Sequence, residues 1–323
     1  MIYTVLMVLF LAALPQSPAP SLVFVSNELA RTITVIDAAT RRPISQIPVP
    51  GRPRGIAVTS DGRTLFVALS DTLRMRAGPA DGIIAIDIAT QRIVERLPAR
   101  TDPEQFALSP DRRWIYASNE DAGTATALDV QARRIGAHFV VGLEPEGVAV
   151  SPDGRWVYVT GETSNTVTVI DTRSQRVVAS FLVDSRPRAA TFSADGRTAY
   201  VTAEIGRSLT AVDVATHTPV AIIAITDSGA KPVGVVLSPD GRLAYVATGR
   251  ANTVAVVDLV ARTMIASIPV GKRPWGIAIT PDGGTVYTAN GLSGDVSVID
   301  TRSRRVIDTI KAGAGAWGIA LRH

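Results

Sequence analysis

The chain has 323 residues, 46% of them hydrophobic, with 33 basic against 29 acidic side chains and a net charge of +4. It contains no cysteine, which excludes disulfides, thiol catalysis, iron–sulfur clusters and covalently attached c-type haem. Its arginines are scattered rather than run together, as on solvated turns and strand edges, so no nucleic-acid partner is expected.

Residues 2–14 form an apolar run of about 13 residues, the length of a signal-peptide core and short for a membrane span. A Pro/Ser/Ala breaker follows over residues 15–21. Met1, Ile2 and Tyr3 supply no basic start, and Ala19 precedes a proline, which obscures a cleavage point. We read residues 1–20 as a signal peptide or N-terminal anchor and residues 21–323 as one folded unit. That unit is expected to be exported, periplasmic or secreted, in a bacterium. Membrane contact is expected only through the N-terminal segment, where it stays uncleaved.

From residue 21 onward the chain repeats itself. The clearest copy, residues 275–313, holds four runs of about 5–6 residues, apolar or alternating, joined by Gly/Asp/Asn turns: one antiparallel meander. The aspartate that ends the third run recurs at Asp37, Asp87, Asp129, Asp171, Asp213, Asp258 and Asp300, with 42-residue spacing broken by gaps of 50 and 45. Seven copies at this period are the signature of a β-propeller. The last first-strand motif, at Trp317 and Gly318, has no strands after it, and the strands from Ser21 have none before them. The expected fold is therefore an all-β, seven-bladed β-propeller of four-stranded antiparallel blades, its ring closed by pairing the C-terminal strand with the N-terminal strands. Blade 1 starts at the first entry loop, near Gly55, and blade 7 is the mixed one.

Within each blade a Ser/Thr-x-Asp-Gly turn joins the first two strands, at Asp61, Asp153, Asp195, Asp240 and Asp282, with Asp111-Arg112 in blade 2. Five residues later an aromatic recurs: Phe66, Tyr116, Tyr158, Tyr200, Tyr245 and Tyr287, with Phe24 in blade 7. One ring per blade at one register predicts packing between neighbouring sheets. These repeated residues are scaffold; departures from the repeat are the functional candidates.

The departures lie in the loops entering strand one. Six blades carry proline there: Pro53, Pro103, Pro145, Pro187, Pro232 and Pro274, with Ala316 in blade 7. The flanking residues change sign around the ring: Arg52 and Arg54, Asp102 and Glu104, Glu144 and Glu146, Arg186 and Arg188, Lys231 and Val233, Arg273 and Trp275, Gly315 and Trp317. The loops between strands two and three lie on the same face and add Glu28, Glu120, Glu162 and Glu204. The candidate binding residues for a ligand or partner are thus Arg54, Glu104, Glu120, Glu146, Glu162, Arg188, Glu204, Trp275 and Trp317, at the mouth of the central channel. The opposing reading is a self-satisfied ring of Arg–Glu pairs. The carboxylates Glu104, Glu120, Glu146 and Glu162 are also suited to Ca²⁺ or Mg²⁺, although nothing requires a metal, and no histidine stands among them to favour zinc.

His138 aligns with a polar strand-four position and His217 with an exposed turn, while His323 is terminal. None is placed as a general base or haem ligand at the mouth. No nucleophile–base pair or phosphate-binding glycine loop can be assembled, so no catalytic residue and no cofactor is expected. Two insertions, residues 71–82 and 226–231, fall on the mouth face.

Segments such as Val157-Tyr158-Val159-Thr160 with Thr166-Val167-Thr168-Val169-Ile170-Asp171 resemble the YVTN-type propeller repeats of secreted proteins. The ordered entry series R-P-R-G (52–55), D-P-E-Q-F (102–106), E-P-E-G (144–147), R-P-R (186–188), K-P-V-G (231–234) and A-W-G (316–318) resembles one subfamily, the β-propeller proteins associated with pyrroloquinoline-quinone-dependent alcohol catabolism. S-N-E-D (118–121) and A-E-I-G (203–206) add to that resemblance. It implies an exported, non-enzymatic accessory protein whose partner is a quinoprotein dehydrogenase or a transporter component, or else a small polar ligand. The alternative is a metal-dependent lyase or lactonase-like enzyme using the acidic mouth.

Overall fold

The computed structural model describes residues 21–71 and 78–322. The expected signal segment, the middle of the first insertion and His323 lie outside these residues. Seven four-stranded antiparallel sheets form the seven blades. In six of them the strands follow chain order, as in blade 3 (Pro145–Val150, Trp156–Gly161, Thr166–Asp171, Arg176–Leu182). The seventh is built from both ends of the chain: Ala316–Arg322 pairs antiparallel with Leu22–Asn27, which continues to Thr32–Asp37 and Arg42–Pro48. The closure read from the unpaired motif at Trp317 is therefore present, and it removes the open edge between first and last blades.

Each strand follows its local composition. Second and third strands such as Thr285–Asn290 and Asp295–Asp300 are buried almost throughout, because both faces of a blade meet a neighbour. Fourth strands such as Arg176–Leu182 form the exposed outer edge. The strand-two aromatics lie between sheets: Tyr116 packs with Val157 and Val159 of the next blade, and Tyr158 with Val201 and Val212. The Ser/Thr-x-Asp turns close as the sequence predicts. Thr59 Oγ1 donates to Asp61 Oδ1 at 2.6 Å, and the Arg63 N–H donates to the same oxygen at 3.1 Å. Blade 2 lacks the turn glycine, and Arg112 takes its left-handed conformation, φ 61° against 67° at Gly62.

Glycine has a second use on the inner strands. A Cβ at Gly147 would stand 2.3 Å from the Arg188 carbonyl oxygen of the next blade, and one at Gly276 would stand 2.5 Å from that of Trp317. At these two positions the blades approach closely because the side chain is missing. That approach draws the residue after each entry proline into one narrow mouth.

Candidate functional site

The mouth is a cavity of about 230 Å³ lined by Glu28, Arg54, Glu104, Glu120, Glu146, Glu162, Arg186, Arg188, Glu204, Arg273, Trp275 and Trp317. All nine sequence-derived candidates are among these residues, together with Glu28, Arg186 and Arg273. The entry loops deliver the residues that flank proline, Arg186 and Arg273 before it and the others after it, and the loops between strands two and three deliver Glu28, Glu120, Glu162 and Glu204.

The charges resolve into two clusters, each centred on one arginine. Arg54 is paired with Glu104, with Glu28 at 3.2 Å and with Glu120 at 3.7 Å, and Arg52 also pairs with Glu28. Arg188 bonds Glu146 at 2.8 Å, pairs with Glu162 and stands 3.5 Å from Glu204. Arg186 joins the second cluster through Glu162 at 2.8 Å and Glu204 at 3.0 Å. Glu104, Glu146, Glu162 and Arg188 are buried. Buried ions survive only when paired and hydrogen-bonded, so a fixed network is the stable arrangement here.

Titration follows position. Burial pushes the Glu146 carboxyl up to about 7 against the opposing charges of Arg188 and Arg54. Burial likewise raises Asp102. Burial also acts upward on Glu28, yet Arg54 and Arg52 outweigh it and hold that carboxyl below its ordinary value. Trp275 and Trp317 stack with ring centres 6.2 Å apart and planes 22° from parallel. Arg188 and Arg273 lie over Trp275 at 5.1 and 4.8 Å, and Arg54 lies over Trp317 at 6.0 Å.

Among the described residues, the carboxylates that approach one another closely enough for a cation are Asp102, Glu104 and Glu120, within 4.8 Å. This differs from the set expected from sequence, because Glu146 and Glu162 are drawn to Arg188 instead. Arg54 is paired with two members of the triad, so a guanidinium already supplies its positive charge.

Sequence reading missed a set of hydroxyls beneath the mouth. Ser118 Oγ accepts the Gln105 N–H at 3.1 Å and donates to the Glu146 carbonyl of the next blade at 2.7 Å. Thr160 does the same between Gly147 and Arg188, and Ser26 between Gly318 and Arg54. Thr202 bridges Ala189 to Val233. The signal was available: this register holds Ser or Thr in blades 7, 2, 3 and 4 and alanine at Ala68, Ala247 and Ala289. His217 lies in the turn expected for it but is half-buried rather than exposed. Its Nδ1 is 2.8 Å from the Tyr158 hydroxyl, and its ring packs edge-on against Trp156 at 4.7 Å. That contact is at the outer side of the blades, away from the mouth.

Comparison with known proteins places this architecture in a family. The family model described as the cytochrome D1 heme domain matches residues 73–189 and 198–316. The chain belongs to the cytochrome D1 heme domain family. A second model, the YNCE-like beta-propeller, matches residues 149–240. Among solved structures this cytochrome D1-type propeller resembles Kuenenia stuttgartiensis hydrazine synthase at 23% identity and TM-score 0.76, covering 86% of this chain and 92% of that one. It resembles the Pseudomonas aeruginosa periplasmic gluconolactonase at 21% identity and TM-score 0.77, covering 94% and 99%. A putative 6-phosphogluconolactonase from Bacteroides fragilis aligns at 16% identity and TM-score 0.79, covering 95% and 99%. At these identities the likeness is one of fold. No curated protein matches.

The residues present do not fit the haem of the family's description. Among the described residues the mouth contributes carboxylates, guanidiniums and indoles, none of them a usual axial iron ligand. His138 is exposed on an outer strand, and His217 is engaged by Tyr158. The cavity is also smaller than the roughly 300–1,000 Å³ of pockets for drug-sized ligands.

Proposed function

We propose that the chain is an exported, non-enzymatic binding propeller that engages a partner protein, or a small polar ligand, at the mouth. The observation that carries this reading is convergence: most of the residues that depart from the repeat meet in one cavity, while the repeated residues stay in turns and between blades. The entry-loop series supports the narrower proposal of service to a pyrroloquinoline-quinone-dependent alcohol oxidation system and its transporter. An exported home is supported by the apolar segment at residues 2–14, and the Pseudomonas aeruginosa structural relative is named as periplasmic.

The test is capture from periplasmic extract of alcohol-grown source cells. The tagged wild type is expected to retain a quinoprotein dehydrogenase or a transporter component, and Glu146→Ala and Trp317→Ala to lose it. Capture by both variants at wild-type level removes the mouth from the reading. The competing reading is a divalent cation acting as Lewis acid in lactone chemistry, with Asp102, Glu104 and Glu120 in its favour. It requires Arg54 to leave the triad. Dialysed protein that holds no cation and gains no stability from Ca²⁺ or Mg²⁺ would eliminate it.

A further inference from the structure

Charge pairing around the mouth stops at blades 5 and 6. Four residues after the strand-two aromatic, blades 7, 2, 3 and 4 carry Glu28, Glu120, Glu162 and Glu204, whereas blades 5 and 6 carry Gly249 and Gly291. In blade 6 the backbone is equivalent: the Glu162 N–H donates to the Glu144 carbonyl, the Glu204 N–H to Arg186 and the Gly291 N–H to Arg273, whereas in blade 5 Gly249 opens a single 3-10 turn. The cations are equivalent too. Arg52 and Arg186 stand before the entry prolines of blades 1 and 4, and each pairs with the glutamate of the preceding blade, Glu28 and Glu162. Arg273 stands before the proline of blade 6 in the same left-handed conformation as Arg186, φ 57° against 60°. Its N–H is bonded to Asn252 Oδ1 as that of Arg186 is to Asn165 Oδ1, both at 2.8 Å. Where Arg186 meets Glu162, Arg273 faces a blade that offers Gly249.

Three more cations surround that gap. Arg250, Lys272 and Arg273 line a groove of about 390 Å³ with Asn252 and Leu292, and Lys231 adjoins it beside Gly249 and Trp275, with Glu204, which is paired to Arg186, at its inner side. Among the described residues, none of these four cations has a carboxylate within the 4.0 Å of an ion pair.

We propose that this groove is an anion-binding subsite for a small ligand bearing two or more carboxylate or phosphate groups. The ligand supplies between blades 5 and 6 the negative charge that Glu28 and Glu162 supply elsewhere on the ring. Guanidiniums bind such groups through paired, charge-assisted hydrogen bonds, and lysine adds a point charge. Burial and the like charges of Arg250, Arg188 and Arg186 outweigh the opposing charge of Glu204 and hold Arg273 below its ordinary value, a crowding that a bound anion relieves. The subsite goes beyond the partner reading and does not depend on it.

The test is calorimetric titration of the full chain at low ionic strength with two probes, citrate and inorganic pyrophosphate. Binding of either is expected, and which of them binds separates carboxylate from phosphate as the preferred group. The double variant Arg250→Gln/Lys272→Gln, both exposed positions, is expected to weaken it about tenfold or more. The charge-matched control Arg42→Gln/Arg176→Gln, on exposed outer strands, is expected to bind as wild type. Lys272→Gln alone serves if the double variant does not fold. No binding of either probe by wild type, or equal loss in the control, overturns the proposal. These readouts use neither the partner nor Glu146 and Trp317, so the two readings fail separately.

Discussion

Glu146 shows how one residue's chemistry is set by its neighbours. Its carboxyl is pushed from the ordinary 4.5 up to about 7 by burial, which Arg188 and Arg54 only partly offset. Between those pH values the folded protein keeps a proton that the unfolded chain has released. The Glu146 contribution to stability therefore falls as pH rises across that window and is flat outside it. Glu146→Gln removes this slope. Urea unfolding at pH 5 and pH 8 is expected to show wild type losing more stability than the variant, by on the order of 2 kcal/mol; parallel profiles would contradict the assignment. Gly147 gives a steric counterpart. Gly147→Ala places a methyl 2.3 Å from the Arg188 carbonyl oxygen and is expected to cost about 1–3 kcal/mol, read as a lower urea midpoint. Residue roles were legible where they repeat, as in the turn aspartates. The partners of individual charges were not, because Glu146 and Glu162 reach Arg188 through the angle between adjacent blades, which no spacing along one strand encodes.

Between elements, adjacent blades are joined by short polar bridges laid over apolar packing. The turn before strand four reaches back to the aromatic of the preceding blade: Gln175 donates to the Tyr116 hydroxyl at 2.9 Å, and His217 meets that of Tyr158 at 2.8 Å. The matching turns in blades 1 and 2, Gln91 and Arg133, stand opposite Phe24 and Phe66, which have no hydroxyl to engage. The aromatic register and its packing between sheets are visible in the sequence; the hydroxyl's partner is not, because Gln175 and His217 lie 59 residues further on, in a turn whose residue varies from blade to blade. The arginine clusters act at the same scale. Arg188→Ala strips the ion-pair partner from buried Glu146 and leaves Glu162 and Glu204 with Arg186 alone, and is expected to cost about 3–5 kcal/mol in chemical denaturation. Arg112→Ala, which breaks an exposed pair with Asp61, is expected to cost less than about 1 kcal/mol through that pair. Equal costs would mean that the mouth network behaves as a surface pair.

Over the whole molecule, stability depends on closing the ring. Ala316–Arg322 supplies the inner strand of blade 7 and packs beside both its neighbours. A chain ending at Gly315 leaves that blade with an unpaired edge and an open channel wall, and is expected to lose the single cooperative melt of the full chain, followed by circular dichroism. Blade number and closure were readable because a missing partner strand at each end is a counting problem. The mouth's two-cluster electrostatics became apparent only once seven loops were brought together.

The register of that closing pair also orients the molecule. Leu22 lies opposite Arg322, while Asn27 lies opposite Ala316 and leads directly to Glu28 at the mouth. The first strand therefore climbs from the far face to the mouth, and Leu22 and Arg322 lie together on the face opposite the cavity. A tag or surface coupled beside either of these residues therefore meets the far face and leaves the charged mouth open to solution.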